Sequence, residues 1–279
     1  MKTIVKAFLS KFSSSQIFYG LLEKLYNYAT LKRFQRVNRN QLVSLNRLLR
    51  PSFKFDKLNL IRIGSLNDGG YVMEKPCSSG AKVISLGIAD NMDFELELID
   101  SSLIRDIYCF DGSISELPEI RTNIYFESKF VRTTASRDSV SLSEILGRVH
   151  SDELILKIDI EGDEWSVLAQ LEDKDLLKFS QIIGEFHGLA SSINEEDAAH
   201  KIDVLNKLHE HFHLVNAHPN NWSQYRIIQG VPLSDVVELS FINRNIASIS
   251  EAISKEGHLA KSNESLNSPC NPLGFEYLI

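Results

Sequence analysis

Short apolar runs alternate along the chain with segments of helical spacing, from about residue 60 onward. The runs, which are typical of strands, lie at 82–87, 107–112, 123–131, 154–162, 181–188, 213–218 and 236–243. Between them, the spacing of apolar residues predicts helices over 94–103, 141–149, 163–177 and 194–211. Strands that alternate with helices of this length predict a mostly parallel, three-layer α/β fold.

The first fifty residues have a different character. Their apolar residues recur every three to five positions, and a second helical segment at 41–49 is stopped by Pro51. They contain ten Lys/Arg and one acid, Glu23, for a net charge of +9, which leaves −16 on the rest. Two interpretations stay open: basic amphipathic helices that bind an anionic membrane face, or helices whose apolar side packs on the acidic domain.

These patterns predict three parts. They are a basic helical extension over 1–51, an α/β domain over 52–253 and a polar tail over 254–279. The three cysteines have no metal-binding spacing, and their odd number argues against a disulfide framework. With no apolar run of membrane-spanning length, the expected location is the cytoplasm, including the inner membrane face as a peripheral site.

Polar residues follow five of the predicted strands. They are Gly87 with Asp90, Asp111 with Gly112, Asp159 with Glu161, Glu185 with His187, and His218 with Asn220 and Asn221. Ligands of open parallel sheets bind at the carboxyl ends of the strands. Because clustered carboxylates cost free energy unless a cation offsets them, these residues predict a ligand site.

The first two strand ends suggest a nucleoside. Gly87 allows the chain to pass close to a ligand, although the loop SLGIADNMDFE is not a GxGxxG motif. Asp111 follows 24 residues later, close to the spacing at which a carboxylate accepts ribose hydroxyls. The alternative for Asp111 is a turn acid that shares its role with Ser113.

Five motifs, taken in order, resemble those of the FkbM-type family of S-adenosylmethionine-dependent methyltransferases. They are NDGGYV (67–72), VISLGIADNMDFE (83–95), YCFDGS (108–113), LKIDIEGDEWSVL (156–168) and IIGEFHG (182–188). The resemblance implies a Rossmann-like class I methyltransferase fold with a seven-stranded sheet, S-adenosylmethionine as cofactor, and methyl transfer to a hydroxyl. Many relatives act in sugar and surface-polysaccharide biosynthesis. One departure is that Gly87 stands where related loops often carry several glycines.

The cofactor and base residues follow from this resemblance and from chemistry. The predicted cofactor-binding residues are Gly87, Asp90, Asp111, Gly112 and Asp159. His187 is the predicted general base, since an imidazole titrates near neutrality, and Glu161 and Asp159 are the next candidates. On an extended strand Asp159 and Glu161 would face the same side as Lys157. Asp163 and Glu164 are assigned to helix capping.

The acceptor side is assigned to Glu185, His218, Asn221 and Trp222, because carboxylate, amide and indole groups suit sugar hydroxyls and sugar faces. For the last three, a turn built around Pro219 is the alternative. Asp159, Glu185 and His187 could also bind a divalent metal, although no local spacing demands one and none is expected.

The predicted function is O-methylation of a saccharide or a lipid-linked glycan, with residues 1–50 as a contact for a membrane or a glycan-assembly partner. Two alternatives stay open. One is a non-catalytic docking module with this fold, and the other is a nicotinamide-dependent sugar oxidoreductase, which the absence of GxGxxG disfavours. A nucleic acid substrate is not expected, because the body of the protein is acidic.

Overall fold

The computed structural model describes residues 37–51, 54–55, 58–76, 78, 80–190, 193–245 and 253–254. The helices in this part of the chain are α1 (Arg39–Leu48), α2 (Asp93–Asp100), α3 (Leu142–Leu146), α4 (Glu164–Gln170), α5 (Asp173–Leu176) and α6 (Glu195–His211). Polar caps define several of the helix starts. Ser141 and Glu144 form a reciprocal capping box on α3, and the Asn194 side chain accepts a hydrogen bond from the Asp197 amide at the start of α6.

Seven strands form the central sheet: β4 (Lys82–Leu86), β5 (Asp106–Phe110), β6 (Ile124–Glu127), β9 (Leu154–Ile158), β10 (Phe179–Phe186), β11 (Phe212–Pro219) and β14 (Val237–Asn243). Their order across the sheet is β11-β14-β10-β9-β4-β5-β6. All are parallel except β14, which is antiparallel to both of its neighbours. The prediction of a mostly parallel sheet is therefore confirmed.

Short strands surround this sheet. They are β1 (Lys54–Phe55), β2 (Leu60–Gly64), β3 (Gly70–Glu74), β7 (Phe130–Val131), β8 (Ser139–Val140), β12 (Tyr225–Ile228), β13 (Val231–Ser234) and β15 (Ile253–Ser254). β2 with β3 and β12 with β13 form antiparallel hairpins, and β1 pairs with β15. The strand predicted over 123–131 is interrupted between β6 and β7. The helix predicted over 163–177 is two helices, because Leu171 is extended.

Alternate residues of the central strands enter two apolar cores on opposite faces of the sheet. Ile84 and Leu156 belong to the larger core, whereas their neighbours Val83 and Ile155 belong to the smaller one. This alternation follows from the two-residue period of a strand. Both faces of the sheet are therefore covered, as the prediction of three layers requires.

Helix α1 is part of this domain. Leu42 and Leu45 are fully buried in the larger core, and the side chain of Asn46 donates to the carbonyl of Pro232 on β13 at 2.8 Å. Helix α1 thus packs on α6 and β13, on the far side of the boundary predicted at residue 51. For this helix the packing interpretation is confirmed. Residues 1–36, the rest of the predicted extension, and 255–279 of the predicted tail lie outside the described residues.

The order of the strands places a crevice above the middle of the sheet. From β4 the chain runs through β5 and β6 on one side and then returns to β9 on the other side. Such a switch point is where open α/β sheets bind ligands. In the described part of the chain, no helix has the length and apolar character needed to cross a bilayer.

Candidate active site

Gly87 brings two strand ends into direct contact. It follows β4 with a φ of +77°, and a Cβ atom at this position would lie 1.6 Å from the backbone oxygen of Asp159. Any side chain would therefore force the loop after β4 away from the end of β9. Asp159 continues the pairing of the strands, since its amide donates to the carbonyl of Leu86 at 2.9 Å.

Asp111 holds the loop that follows Gly87. Its Oδ2 accepts hydrogen bonds from the amides of Ile88 and Ala89, both at 2.8 Å. Its Oδ1 accepts from the amide and the hydroxyl of Ser113 at 2.7 and 2.6 Å. Burial by itself would raise the pKa of Asp111, but these hydrogen bonds outweigh it and hold the pKa below its usual value.

The other two predicted cofactor residues have different surroundings. Asp90 is exposed in the turn after Gly87. Gly112 lies against Phe130, where a Cβ atom would come within 2.4 Å of the aromatic ring. The absence of a side chain at Gly112 thus allows the chain after β5 to pass close to the Phe130 ring. Cofactor contacts by Gly87, Asp90, Asp111, Gly112 and Asp159 remain predictions.

Asp159 is held by a buried tyrosine. Its Oδ2 accepts a hydrogen bond from the hydroxyl of Tyr71 at 2.9 Å. Lys157 lies beside them, with its ammonium 5.5 Å from the centre of the Tyr71 ring and hydrogen-bonded to the carbonyl of Gly87. The ammonium of Lys157 therefore donates to a main-chain oxygen of the loop after β4.

His187 lies immediately after β10 with acidic groups around its ring. On one side, Nδ1 lies 3.0 Å from Oε1 of Glu164. On the other side, Nε2 faces Asp159 Oδ1 at 3.9 Å, Glu161 Oε2 at 3.6 Å and Glu185 Oε2 at 3.7 Å. The sequence-predicted group of Asp159, Glu161, Glu185 and His187 therefore does come together.

The surroundings of His187 change its protonation. Burial by itself would lower the pKa of His187. The hydrogen bond with Glu164 and the charges of Glu164, Asp159 and Glu185 raise that pKa to about 9. At neutral pH both ring nitrogens of His187 therefore carry a proton. The imidazole can act as a base only after it has lost one of the two.

Glu164 is the residue whose position the sequence did not predict. It was assigned to capping, but its side chain is 0% exposed. Oε1 accepts hydrogen bonds from the amides of Ile160 and Gly162, both at 3.0 Å, in addition to contacting His187. Burial would raise the pKa of Glu164, yet its contacts with His187 and the two amides lower it. Glu164 therefore fixes the loop after β9 and the ring of His187 together.

Glu161 does not extend strand β9, which ends at Ile158. Its φ is +58°, and its side chain is 87% exposed. The prediction that strand alternation aligns Asp159 with Glu161 is therefore wrong. A turn brings both carboxylates to His187 instead.

Two further acids adjoin this group. Glu185 is buried, accepts a hydrogen bond from the Asn220 side chain at 2.9 Å, and pairs in register with Glu238 on β14. Burial, and then the charges of Asp159 and Glu238, raise the pKa of Glu185 well above its usual value. Asp68, in the loop between β2 and β3, also faces the group. Burial and the charge of Asp159 raise its pKa.

The remaining acceptor-side residues separate into buried and exposed. His218 is buried on β11, and Asn221 is fully buried in the turn that follows. Asn220, a predicted strand-end residue that was not among the acceptor contacts, donates to Glu185, and Trp222 is 66% exposed. The turn interpretation therefore fits Asn221, and Trp222 is the member of this set that a ligand can reach.

Asp159, Glu161 and His187 form a group whose ligand atoms all lie within 4.8 Å of one another. The sequence predicted Glu185 as the third member of such a set. In the structure Glu161 takes this place, because the turn after Ile158 carries it toward His187. Glu185 remains beside the group, on the buried side.

Comparison with known proteins agrees with the resemblance seen in the sequence. Residues 72–215, more than half of the chain, match the family described as the Methyltransferase FkbM domain. No curated protein matches the sequence.

Two solved structures are similar to this chain. The first, a fibrillarin/Nop5p complex, is 14% identical over 60% of this chain and 74% of that chain, with a TM-score of 0.39. The second, Streptococcus pneumoniae Sp1610 in complex with S-adenosyl-L-methionine, is 14% identical over 60% of this chain and 67% of that chain, with a TM-score of 0.33.

The fold and the family agree. The central sheet, with β14 as its antiparallel strand, is that of a Rossmann-like class I methyltransferase, as predicted. The match includes the loop after β4, the KIDIEG segment and the strand that leads to His187. The chain belongs to the FkbM methyltransferase family, and it is a methyltransferase that uses S-adenosylmethionine.

Proposed function

We propose that this protein transfers the methyl group of S-adenosylmethionine to a hydroxyl of a saccharide. The observation that carries the proposal is the contact between Gly87 and Asp159. It joins the loop predicted to bind the cofactor to the group of Asp159, Glu161 and His187. A methyl donor on that loop and an acceptor beside these side chains would therefore be close enough for direct transfer.

The acceptor hydroxyl has to lose its proton as the methyl group arrives. Glu161 has an exposed side chain, whereas His187 is largely covered by its neighbours. We therefore propose that the carboxylate of Glu161 receives the proton and that Asp159 orients the hydroxyl. His187 and Glu164 hold the carboxylates of Asp159 and Glu161 in place from the buried side.

Two features favour a saccharide over a small apolar acceptor. The carboxylates at this edge of the sheet are hydrogen-bond acceptors suited to neighbouring hydroxyls. The exposed indole of Trp222 follows Asn220, whose amide contacts Glu185 in the same group. An apolar indole face beside hydrogen-bonding groups is a suitable platform for a sugar ring.

The test is methyl transfer from cofactor carrying a ¹³C-labelled methyl group to a panel of free sugars and lipid-linked oligosaccharides, with NMR identification of the product. The expected product is an O-methyl sugar. Glu161→Gln is expected to lower kcat on the order of a hundredfold, in line with the loss of a general base. The neighbouring Asp163→Asn serves as the control and is expected to keep its activity. A labelled methyl on nitrogen would contradict the proposal.

Trp222→Ala separates acceptor binding from chemistry. Because the side chain is exposed, the variant is expected to keep its stability and cofactor affinity and to raise KM for the acceptor several-fold. The exposed Ile227, on β12, is the control position. If the wild type bound S-adenosylhomocysteine but transferred no methyl group to any sugar, the non-catalytic docking module would be the better interpretation.

A further inference from the structure

The spacing around His187 Nε2 differs from that of an ordinary hydrogen bond. Three carboxylate oxygens, from Asp159, Glu161 and Glu185, lie 3.6 to 3.9 Å from this nitrogen. A hydrogen-bonded N–H···O pair is separated by roughly 2.7–3.2 Å. The three oxygens therefore surround the nitrogen at distances that are too long for hydrogen bonds.

Such spacing suits atoms that share a cation. Nitrogen and oxygen ligands lie roughly 2.1 Å from a small divalent ion, which separates neighbouring ligands by roughly 3.0 Å in an octahedron and 3.4 Å in a tetrahedron. The distances from Nε2 to Asp159 and Glu161, 3.9 and 3.6 Å, exceed the tetrahedral separation by roughly 0.2 to 0.5 Å and the octahedral separation by roughly 0.6 to 0.9 Å. Small rotations of the two carboxylates would bring them into range.

Glu164 prepares the imidazole for this role. Its buried carboxylate lies 3.0 Å from Nδ1, on the far side of the ring from Asp159 and Glu161. Histidines that bind metals usually donate their other ring N–H to such a carboxylate, which orients the ring and selects the tautomer. A metal ion would displace the proton that Nε2 carries in its absence, while the proton on Nδ1 would stay directed at Glu164.

Glu185 supplies an independent observation. Its side chain is 7% exposed, and Oε1 accepts a hydrogen bond from Asn220. No hydrogen bond joins its Oε2 to any residue that the structure describes, and this oxygen lies 3.7 Å from Nε2. It is thus a further carboxylate oxygen directed at the point that Asp159 and Glu161 face. The positive charge there comes from the protonated imidazole of His187, and a bound cation would take its place.

We propose that Asp159, Glu161 and His187 bind a divalent transition-metal ion, with Glu185 as a supporting carboxylate beside it. Two carboxylates and one imidazole form a mixed oxygen and nitrogen set that suits Mn²⁺, Fe²⁺, Co²⁺ or Zn²⁺ better than Ca²⁺, which prefers oxygen ligands. The exposed position of Glu161 leaves one side of the ion open to a ligand.

The role of the ion rests on the proposed function. An acceptor hydroxyl bound at the open side would be oriented toward the methyl group. Its proton would pass more easily to the Glu161 oxygen that does not bind the ion, because a metal lowers the pKa of a bound hydroxyl. Binding of the ion itself does not depend on that reaction and can be measured separately.

The experiment is calorimetric titration of the chelator-treated full-length protein with MnCl₂. Loss of the free Mn²⁺ signal in electron paramagnetic resonance provides a second measurement. One tight Mn²⁺ per chain is expected. Glu161→Gln is expected to weaken binding tenfold or more, because it removes a charged ligand. Asp163→Asn removes a charge two residues away without removing a ligand, and it is expected to bind Mn²⁺ like the wild type.

S-adenosylhomocysteine is titrated into the same preparations. If the protein binds this compound but shows no saturable Mn²⁺ binding, the metal site is wrong and the methyltransferase proposal stands. Equal loss of Mn²⁺ affinity in Glu161→Gln and Asp163→Asn would also overturn the site, since it would indicate a general effect of surface charge. If Mn²⁺ binds as expected but no hydroxyl is methylated, the site stands and the proposed function fails.

Discussion

The carboxylate of Glu164 lies 3.0 Å from Nδ1 of His187, although Glu164 begins helix α4 and His187 follows strand β10. The same oxygen accepts the amides of Ile160 and Gly162. One buried atom thus links the loop after β9 with the end of β10. The arrangement of Asp159 and Glu161 over the imidazole depends on this link.

Replacing Glu164 tests the link. Glu164→Ala leaves the two amides and the His187 ring without their acceptor in a buried position, so the free energy of unfolding is expected to fall by about 3 kcal/mol or more. Glu164→Gln keeps an acceptor oxygen but loses the charge, and its free energy of unfolding is expected to fall by about half as much. Urea denaturation measures both. Equal losses would indicate that the charge of Glu164, which both variants remove, determines the effect rather than the presence of an acceptor oxygen.

Gly87→Ala tests the contact between β4 and β9. The new Cβ atom would overlap the backbone oxygen of Asp159, and the expected result is loss of S-adenosylhomocysteine binding together with several kcal/mol of stability.

Gly230→Ala is the matched control for this variant. Gly230 has the same φ of +77°, but a Cβ atom there would meet no residue of the described chain within 4 Å, its immediate neighbours aside. The control therefore introduces the backbone strain, which costs about 1 kcal/mol, without the overlap. Calorimetry and thermal unfolding of the two variants separate strain from contact, and equal effects would contradict the importance of the contact.

Asp111→Asn tests the anchor of the cofactor loop. An amide offers one acceptor oxygen in place of two, so the variant is expected to be less stable by about 2 kcal/mol at neutral pH and to bind S-adenosylhomocysteine more weakly.

The same pair of proteins gives a pH test. The folded-state pKa of Asp111 lies below its unfolded value of about 3.9. Its contribution to stability is therefore complete above that value and is lost as the pH falls through the folded-state pKa. The difference in stability between wild type and Asp111→Asn should shrink below about pH 4. A constant difference down to the acid limit of folding would show that ionisation of Asp111 does not stabilise the loop.

Leu42→Ala tests whether α1 belongs to the domain. Leu42 is fully buried, and its truncation is expected to cost about 2–5 kcal/mol in the free energy of unfolding. Val43, the next residue, is 42% exposed, so Val43→Ala should cost well under 1 kcal/mol. Equal and small effects in denaturant unfolding would mean that α1 is an accessory to the fold.

Local patterns were sufficient to predict the central sheet. Each of its strands has its own apolar run, and polar residues at the strand ends meet because parallel strands share an edge. This is why His187 could be associated with Asp159 and Glu161 from the sequence. The two hairpins were missed because their strands have only four or five residues each, although Asp68 and Gly69 form a turn dipeptide between β2 and β3.

The sequence could not reveal contacts that depend on distant residues. Glu164 has the local surroundings of an ordinary capping acid, and it is buried because His187, 23 residues later, lies against it. Asn220 and Asn221 are adjacent amides, and the geometry of the turn decides that Asn220 contacts Glu185 while Asn221 is enclosed. Glu161 was placed on a strand that ends three residues earlier.

The contact between Gly87 and Asp159 also has a thermodynamic consequence. If the loop after β4 binds one substrate and the turn after β9 binds the other, displacement of either segment also shifts the other. An acceptor that tightens cofactor binding by some factor must then have its own binding tightened by the cofactor by the same factor. Cooperative binding of the two substrates would therefore arise from a single backbone contact, without any moving lid or second subunit.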